Sequence, residues 1–376
     1  MITAGLYYSG LMKHLKLYFL LLISAILSDN SLVFAQKESK AFYSKDDFYR
    51  VKKFDTHIHI NTEQNIFIQL AKADNFQFLD IVDDRPFGVP MDEQQRIAFV
   101  HLKNHPEQMK VATTFSVKGF NSPGWADLTI AGLKKSIREG AKAVKIWKNI
   151  GMDLRDQEGR FVMLDDPRLE PIFEFLVENK IPLIGHNGEP RDCWLPLDQM
   201  TFSKEYYGSH PEYHMFLHPE YPSYEQHIAA RDNLLRKYPE LRFTGAHLGS
   251  LEWSLDELAK RLDLYPNMRV DLSRITNLQL HALKDYIKTR SFFIKYQDRL
   301  IYGSDRAVNT SSDAEQLKKN IHDAWLRDWI FFTTEERITL PGFGELNGLH
   351  LPVSVIDKIY YKNAENWLGQ PAGFKF

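Results

Sequence analysis

Eight short apolar runs, each followed by a longer stretch with helical spacing, constrain the fold of this chain more than any other feature. They are FDTHIHI (54–60), FQFLDIV (76–82), KVATTFSV (110–117), KAVKIWK (142–148), IPLIGH (181–186), LRFTGAH (241–247), MRVDLS (268–273) and RLIYGSD (299–305). Runs this short and rich in β-branched and aromatic residues read as strands, and strands separated by amphipathic helices read as βα units of a parallel sheet. Helical spacing is clear in DLTIAGLKKSIREG (127–140), DPRLEPIFEFLVENK (166–180) and SLEWSLDELAKRL (250–262). Asp166 before Pro167, and Ser250 two residues before Glu252, mark expected helix starts. Eight such units predict an α/β fold of the (β/α)8 TIM barrel type. No G-x-G-x-x-G follows the first run, which removes the main support for a dinucleotide-binding open sheet. The connection from His186 to Pro222 is long enough to read as a lid inserted after strand five. LPVSVIDKIYYKNAENWLG (351–369) reads as a C-terminal closing helix.

With 376 residues, 44% hydrophobic, the chain can bury one large core. A net charge of −2 with no basic stripe excludes nucleic acid as a partner. Lys13, His14 and Lys16 precede LYFLLLISAIL (17–27), an apolar run too short to span a bilayer comfortably, and VFA ends at Ala35. Residues 1–35 therefore read as a signal peptide and 36–376 as the barrel domain, exported to the periplasm or secreted, with no stable membrane anchor after cleavage. Cys193 is the single cysteine, so no intramolecular disulfide forms, and it reads as a spectator or site-lining residue.

The candidate chemistry lies where the runs end. Period-two alternation puts Asp55, His57 and His59 on one face of the first strand and Phe54, Thr56 and Ile58 on the other. Three later runs end on a glycine and then a metal-capable side chain: LIGH at His186, FTGAH at His247 and IYGSD at Asp305. The C-terminal ends of barrel strands converge on one mouth. There His57, His59, His186 and Asp305 would hold Zn²⁺ or another borderline divalent ion with a position left for water, and His247 would stand beside them. Lys145 is expected to face the barrel axis, where a buried ammonium needs a partner, while Lys148 reaches the mouth from its loop. Arg274, Arg85, Glu189 and Trp194 are candidate substrate contacts, with Arg274 offering a planar fork to a carboxylate. His210, His214, His218 and His227 match no structural zinc spacing and read as parts of an aromatic lid.

The order H-x-H, H, H, D resembles the amidohydrolase superfamily, most closely the branch related to aminocarboxymuconate semialdehyde decarboxylase and to lactone and amide hydrolases. The resemblance runs over residues 51–369, and KNAENWLG is similar to the helix that closes many such domains. It implies a metal-dependent enzyme acting on a small molecule, with one divalent metal or with two bridged by a carboxylated Lys145. It leaves a homo-oligomer open, since such relatives often associate. The expected reaction is hydrolysis of an ester, lactone or amide-type bond by a metal-activated water. Asp305 would accept the water's proton, and His247 would orient the water or polarise the carbonyl. A non-oxidative decarboxylase on the same site and a non-catalytic ligand-binding barrel are the alternatives. N-terminal sequencing of protein recovered from the export compartment is expected to begin at Gln36; recovery with residues 1–35 attached would exclude the leader reading.

Overall fold

The computed structural model describes residues 40–310 and 313–369, so the expected signal peptide lies outside the described residues. Among the described residues no helix is long and apolar enough to cross a membrane. All eight expected strands form: β1 (Lys53–Asn61), β2 (Phe76–Ile81), β3 (Met109–Thr113), β4 (Ala143–Ile146), β5 (Leu183–Gly185), β6 (Phe243–Gly245), β7 (Met268–Asp271) and β8 (Leu300–Ile301). They pair in parallel in chain order, and β9 (Arg306–Asn309) then returns the chain to the free side of β1. Thr56 completes the seam, its N–H and Oγ1 donating to Tyr302 O at 3.0 and 2.8 Å. Residues 300–309 thus run along β1 and close the barrel. Gly303 makes that approach possible, because a Cβ there would lie 3.1 Å from His57 Cβ and 3.3 Å from Asp271 Cβ.

Helices follow the strands: α1 (Ile66–Ala73), α2 (Met91–Asn104), α3 (Trp125–Arg138), α4 (Glu170–Glu178), α5 (Tyr224–Lys237), α6 (Leu255–Leu264), α7 (Ile275–Lys284), α8 (Tyr286–Lys295) and the 20-residue α9 (Ala314–Thr333). Alternation along the strands divides the apolar residues into two cores. Phe76, Phe78, Val111, Val144, Ile146, Leu183, Phe243 and Val270 face the helices. Phe54, Leu79, Ile81, Ala112, Ala143, Ile184 and Ile301 fill the barrel together with Ala364, Trp367 and Leu368 of the closing segment. Full burial of each larger aliphatic or Phe side chain stabilises the fold by about 1.5–3 kcal/mol. Asn363 Nδ2 donates to Gln297 O and Leu300 O at 2.6 and 2.8 Å, and Arg242, just before β6, reaches Asn366 O at 3.0 Å. Those contacts lie at the strand starts, so the closing segment seals the end opposite the mouth. It is helical as expected but carries a π turn over Lys358–Lys362, whose Ile359 O accepts the N–H of Tyr302 at 2.9 Å.

Two local expectations are corrected. Strict alternation does not hold through β1, because its pairing with β2 slips by one residue between Asp55 and Ile58. Asp55 therefore does not share a face with His57 and His59. Its Oδ1 accepts the N–H groups of His57 (3.1 Å) and Ser304 (3.0 Å), and its Oδ2 accepts Trp325 Nε1 (2.9 Å). The carboxylate occupies the backbone donors that a bulge leaves unpaired. The helix after β6 is also capped by Ser254, whose side chain accepts from Glu257 N, and not by Ser250. His247, Leu248, Gly249 and Ser250 instead form a left-handed turn, with φ between 55° and 65°. This turn folds back onto Gly245, where a Cβ would lie 2.6 Å from Gly249 Cα. The region after β9, beyond the eight expected strands, supplies α9 and the hairpin β10 (Arg337–Leu340) and β11 (Gly344–Asn347).

Gly303→Ala is expected to lower the unfolding free energy by ~1–3 kcal/mol through overpacking at the seam. Gly132→Ala, in α3 with nothing within 4 Å of the new Cβ, should be neutral or stabilising by up to ~1 kcal/mol. Urea unfolding of both variants checks the contrast.

Candidate metal centre

β1 delivers His57 and His59 to the mouth. The Nε2 atoms of both rings approach Asp305 Oδ1, at 3.4 and 3.6 Å. Their other nitrogens are anchored: His57 Nδ1 lies 2.8 Å from Asp271 Oδ2, and His59 Nδ1 lies 2.8 Å from Ile81 O. The two rings are nearly closed off, with 1% and 7% of their side-chain surfaces exposed, whereas Asp305 is 37% exposed. Asp305 is held at φ 54°, in the left-handed region uncommon for residues other than glycine. Strain at Asp305 and across the turn carrying His247 marks the rim as a place where backbone comfort gives way to side-chain aim.

The other predicted residues gather around this core to different degrees. The His247 ring lies 5.1 Å from His57 and 4.5 Å from His186, centroid to centroid, and its Nδ1 is 3.8 Å from Asp305 Oδ2. His186 adjoins His247 but has no ligand atom in the two tightest groups. Those groups are His57/His59/Asp305 and His57/His247/Asp271, in each of which the ligand atoms all lie within 4.8 Å of one another. Lys145 points into the barrel and is 1% exposed, and its Nζ has no hydrogen-bond partner among the described residues. Burial lowers its pKa against the opposing pull of Asp271, Asp83 and Asp305. Arg274 sits at the end of β7 with its Nε unpartnered, within electrostatic reach of His247 and Glu252.

Arg85 spends its fork on Asp83, both contacts at 2.5 Å, and only its Nη2 comes near His59, 3.2 Å from Nδ1. Glu189 is ion-paired with Lys148, which does reach the mouth side from its loop. Trp194 is tethered through Nε1 to Pro222 O at 3.3 Å and packs 5.6 Å from the His227 ring. In the lid, His210, His214 and His218 each hold a backbone carbonyl, of Tyr206, Leu195 and Pro211. They build the lid and converge on no common point. Cys193 is fully buried, and burial pushes its thiol up to about 11. A thiol so placed stays protonated and unreactive.

Sequence reasoning missed Asp271, Ser273 and Asp83. Asp271 Oδ1 accepts the backbone N–H of His247 at 2.8 Å and the Ser273 hydroxyl at 2.7 Å, while Ser273 Oγ lies 2.8 Å from His247 Nδ1. Burial alone would raise the pKa of Asp271, but its contact with His57 outweighs this and holds the carboxyl well below the usual range. A signal for it existed, since Asp271 has the inward parity in MRVDLS opposite to Val270, which faces the helices.

This donor set fits a divalent cation. Burial lowers the pKa of His59, and of His186 and His247 strongly, which keeps these imidazoles neutral and able to donate to a metal. Burial raises Asp305, yet the surrounding imidazoles outweigh it and leave a carboxylate at the open edge. Asp271 and Ile81 O hold the far side of the rings, as partners behind metal-binding histidines do.

The family model for amidohydrolases matches residues 112–370, taking in His186, His247, Asp271 and Asp305 but beginning after the H-x-H pair. No curated protein matches the chain in sequence. Solved structures with a similar backbone include 2,6-dihydroxybenzoate decarboxylase from Rhizobium, at 14% identity and TM-score 0.49 over 84% of this chain and 98% of that one. Another is 5-carboxyvanillate decarboxylase from Novosphingobium aromaticivorans with bound manganese, at 14% and 0.47 over 88% and 99%. A third is 4-oxalomesaconate hydratase from Rhodopseudomonas palustris, at 14% and 0.44 over 92% and 88%.

Lowered imidazole pKa values mean that protons compete weakly for the metal-binding nitrogens. Zinc affinity measured by calorimetry at about pH 5.5 and about pH 7.5 is expected to fall far less than free histidines would allow; a loss matching protonation of ordinary imidazoles would contradict this.

Proposed function

The chain belongs to the amidohydrolase family, and on that footing we propose that it is a metal-dependent hydrolase opening an ester, lactone or amide-type bond of a small molecule. His57, His59, His186 and Asp305 would hold one divalent ion, zinc. The observation that carries this reading is the approach of two anchored imidazoles, through Nε2, to one partly exposed carboxylate at the rim of the barrel. Its proposed place of work is outside the cytoplasm, following from the expected leader.

When bound, a divalent ion supplies a Lewis acid that brings the pKa of a coordinated water from about 15.7 to roughly 7. The chain's residues do the rest. Asp305 takes the water's proton and returns it to the leaving group, a transfer worth ~10²- to 10⁴-fold. His247 stands beside the reacting atoms. Arg274 binds a substrate carboxylate through its unpartnered edge, while Arg85, Glu189 and Trp194 bound the substrate space. Lys145, buried without a hydrogen-bond partner, is the position where carboxylation would create a bridge to a second metal.

One observation favours a second reading, a non-oxidative decarboxylase on the same site. The free Nε of Arg274, within electrostatic reach of His247, suits a substrate whose carboxylate is itself the reacting group. Elemental analysis followed by a screen of esters, lactones, amides and carboxylic acids separates the readings, since release of carbon dioxide supports the lyase and a hydrolysed bond the hydrolase. Asp305→Asn is expected to lose ~10²-fold or more in turnover while retaining measurable zinc. Near-normal turnover would remove Asp305 from the chemistry. A purified chain that takes up no metal and binds a ligand without converting it would overturn both enzymatic readings.

A further inference from the structure

The contacts of Asp271 fix where the protons of two imidazoles sit. Its Oδ1 accepts from the backbone N–H groups of His247 (2.8 Å) and Ser273 (3.2 Å), which can only donate. The Ser273 hydroxyl, 2.7 Å from the same oxygen, therefore directs its single hydrogen to Asp271. Ser273 Oγ is left with lone pairs only, and the ring nitrogen 2.8 Å from it, His247 Nδ1, must carry the hydrogen of that bond. On the other side Asp271 Oδ2 has only lone pairs to offer His57 Nδ1 at 2.8 Å, so that nitrogen too is protonated. His59 matches this pattern by a different route, with Nδ1 on the Ile81 carbonyl. The Arg85 Nη2 3.2 Å from that nitrogen gives one of its two hydrogens to Asp83 Oδ2, and it is the shorter contact with the Ile81 carbonyl, which can only accept, that places the hydrogen on His59 Nδ1.

We infer that Asp271, directly and through Ser273, is a positioning residue that locks His57 and His247 as Nδ1–H tautomers, leaving each Nε2 as a bare lone pair. For His57 this turns Nε2, 3.4 Å from Asp305 Oδ1, toward the point where a cation would meet both lone pairs. For His247 it selects between two roles. An imidazole bare at Nε2 accepts a hydrogen bond and orients a water or takes its proton, whereas polarising a substrate carbonyl needs an N–H there. His247 is thus an acceptor. The consequence for His247 rests on the proposed hydrolase reading, but the tautomers themselves do not.

Two variants read the two arms separately. In Asp271→Asn the amide oxygen stays at the Oδ1 position, because two backbone N–H groups point at it, and the amide NH₂ faces His57. His57 must then accept at Nδ1 and protonate Nε2, while His247 is unchanged. In Ser273→Ala, His247 Nδ1 loses its acceptor and the ring becomes a tautomer mixture, while His57 is unchanged; Ser273→Thr, which keeps the hydroxyl, restores the single form. Two-bond proton–nitrogen NMR of the imidazoles reads these states with and without zinc. Zinc affinity is expected to fall ~10- to 100-fold in Asp271→Asn and by less than about threefold in Ser273→Ala. Wild-type His247 protonated at Nε2, or a Ser273→Ala protein whose His247 tautomer is unchanged, would overturn the inference. If the tautomers are as stated and zinc does not bind, the functional reading fails and this inference stands; if zinc binds and His247 carries its proton on Nε2, only this inference fails.

Discussion

Asp55 Oδ1 accepts hydrogen bonds from the backbone N–H groups of His57 and Ser304, so one carboxylate oxygen joins the strand that carries two histidines to the turn that carries Asp305. Burial pushes this carboxyl up to about 6, while its hydrogen bonds from Ser304, Trp325 and His57 act the other way. Without that junction the bulge in β1 would leave buried N–H groups unsatisfied, at a cost of about 1–3 kcal/mol each, and Asp305 would lose its fixed approach to His57 Nε2. The seam of Thr56 on Tyr302 and the absent side chain of Gly303 serve the same juxtaposition. The mouth is therefore a property of how the barrel closes, not of the loops above it.

Much of this was legible in the residues because the relevant signal has period two. Val144 and Ile146 face the helices and Lys145 the axis, as alternation requires, and the histidine or aspartate that follows a glycine at the ends of β5, β6 and β8 stands out against the apolar runs before it. What escaped did so for physical reasons. The bulge in β1 depends on register with β2, and register is a relation between strands that one strand does not encode. The helix start at Ser254 was hidden because Ser250 offers the same capping chemistry four residues earlier, and only the left-handed turn disqualifies it. Asp271 stands at a strand end like many polar residues, and its role comes from His57 on β1 and the His247 N–H after β6, partners that its own strand does not encode. β9 is mostly exposed and too short to announce itself, and the stretch around the β10–β11 hairpin lacks the apolar periodicity that marked the barrel.

The electrostatics of the mouth follow from unequal burial. Burial pushes the His186 and His247 rings toward neutrality, while burial of the rim carboxylate Asp305 is outweighed chiefly by His57, which holds it low. The lid contributes shape through carbonyl-bound histidines and a protonated thiol, neither of which competes for a cation. The cations left unsatisfied, Lys145 in the wall and the Nε edge of Arg274 at the rim, are set apart from those already matched, Arg85 and Lys148.

The seam also has a history in time. Thr56 meets its partner carbonyl 246 positions further along the chain, and the plug of Ala364, Trp367 and Leu368 comes later still. Contacts so distant in sequence are slow to form, because the intervening loop entropy must be lost before they return anything. A nascent polypeptide of this kind carries a first strand with one edge unpaired until residues 302–309 have been synthesised.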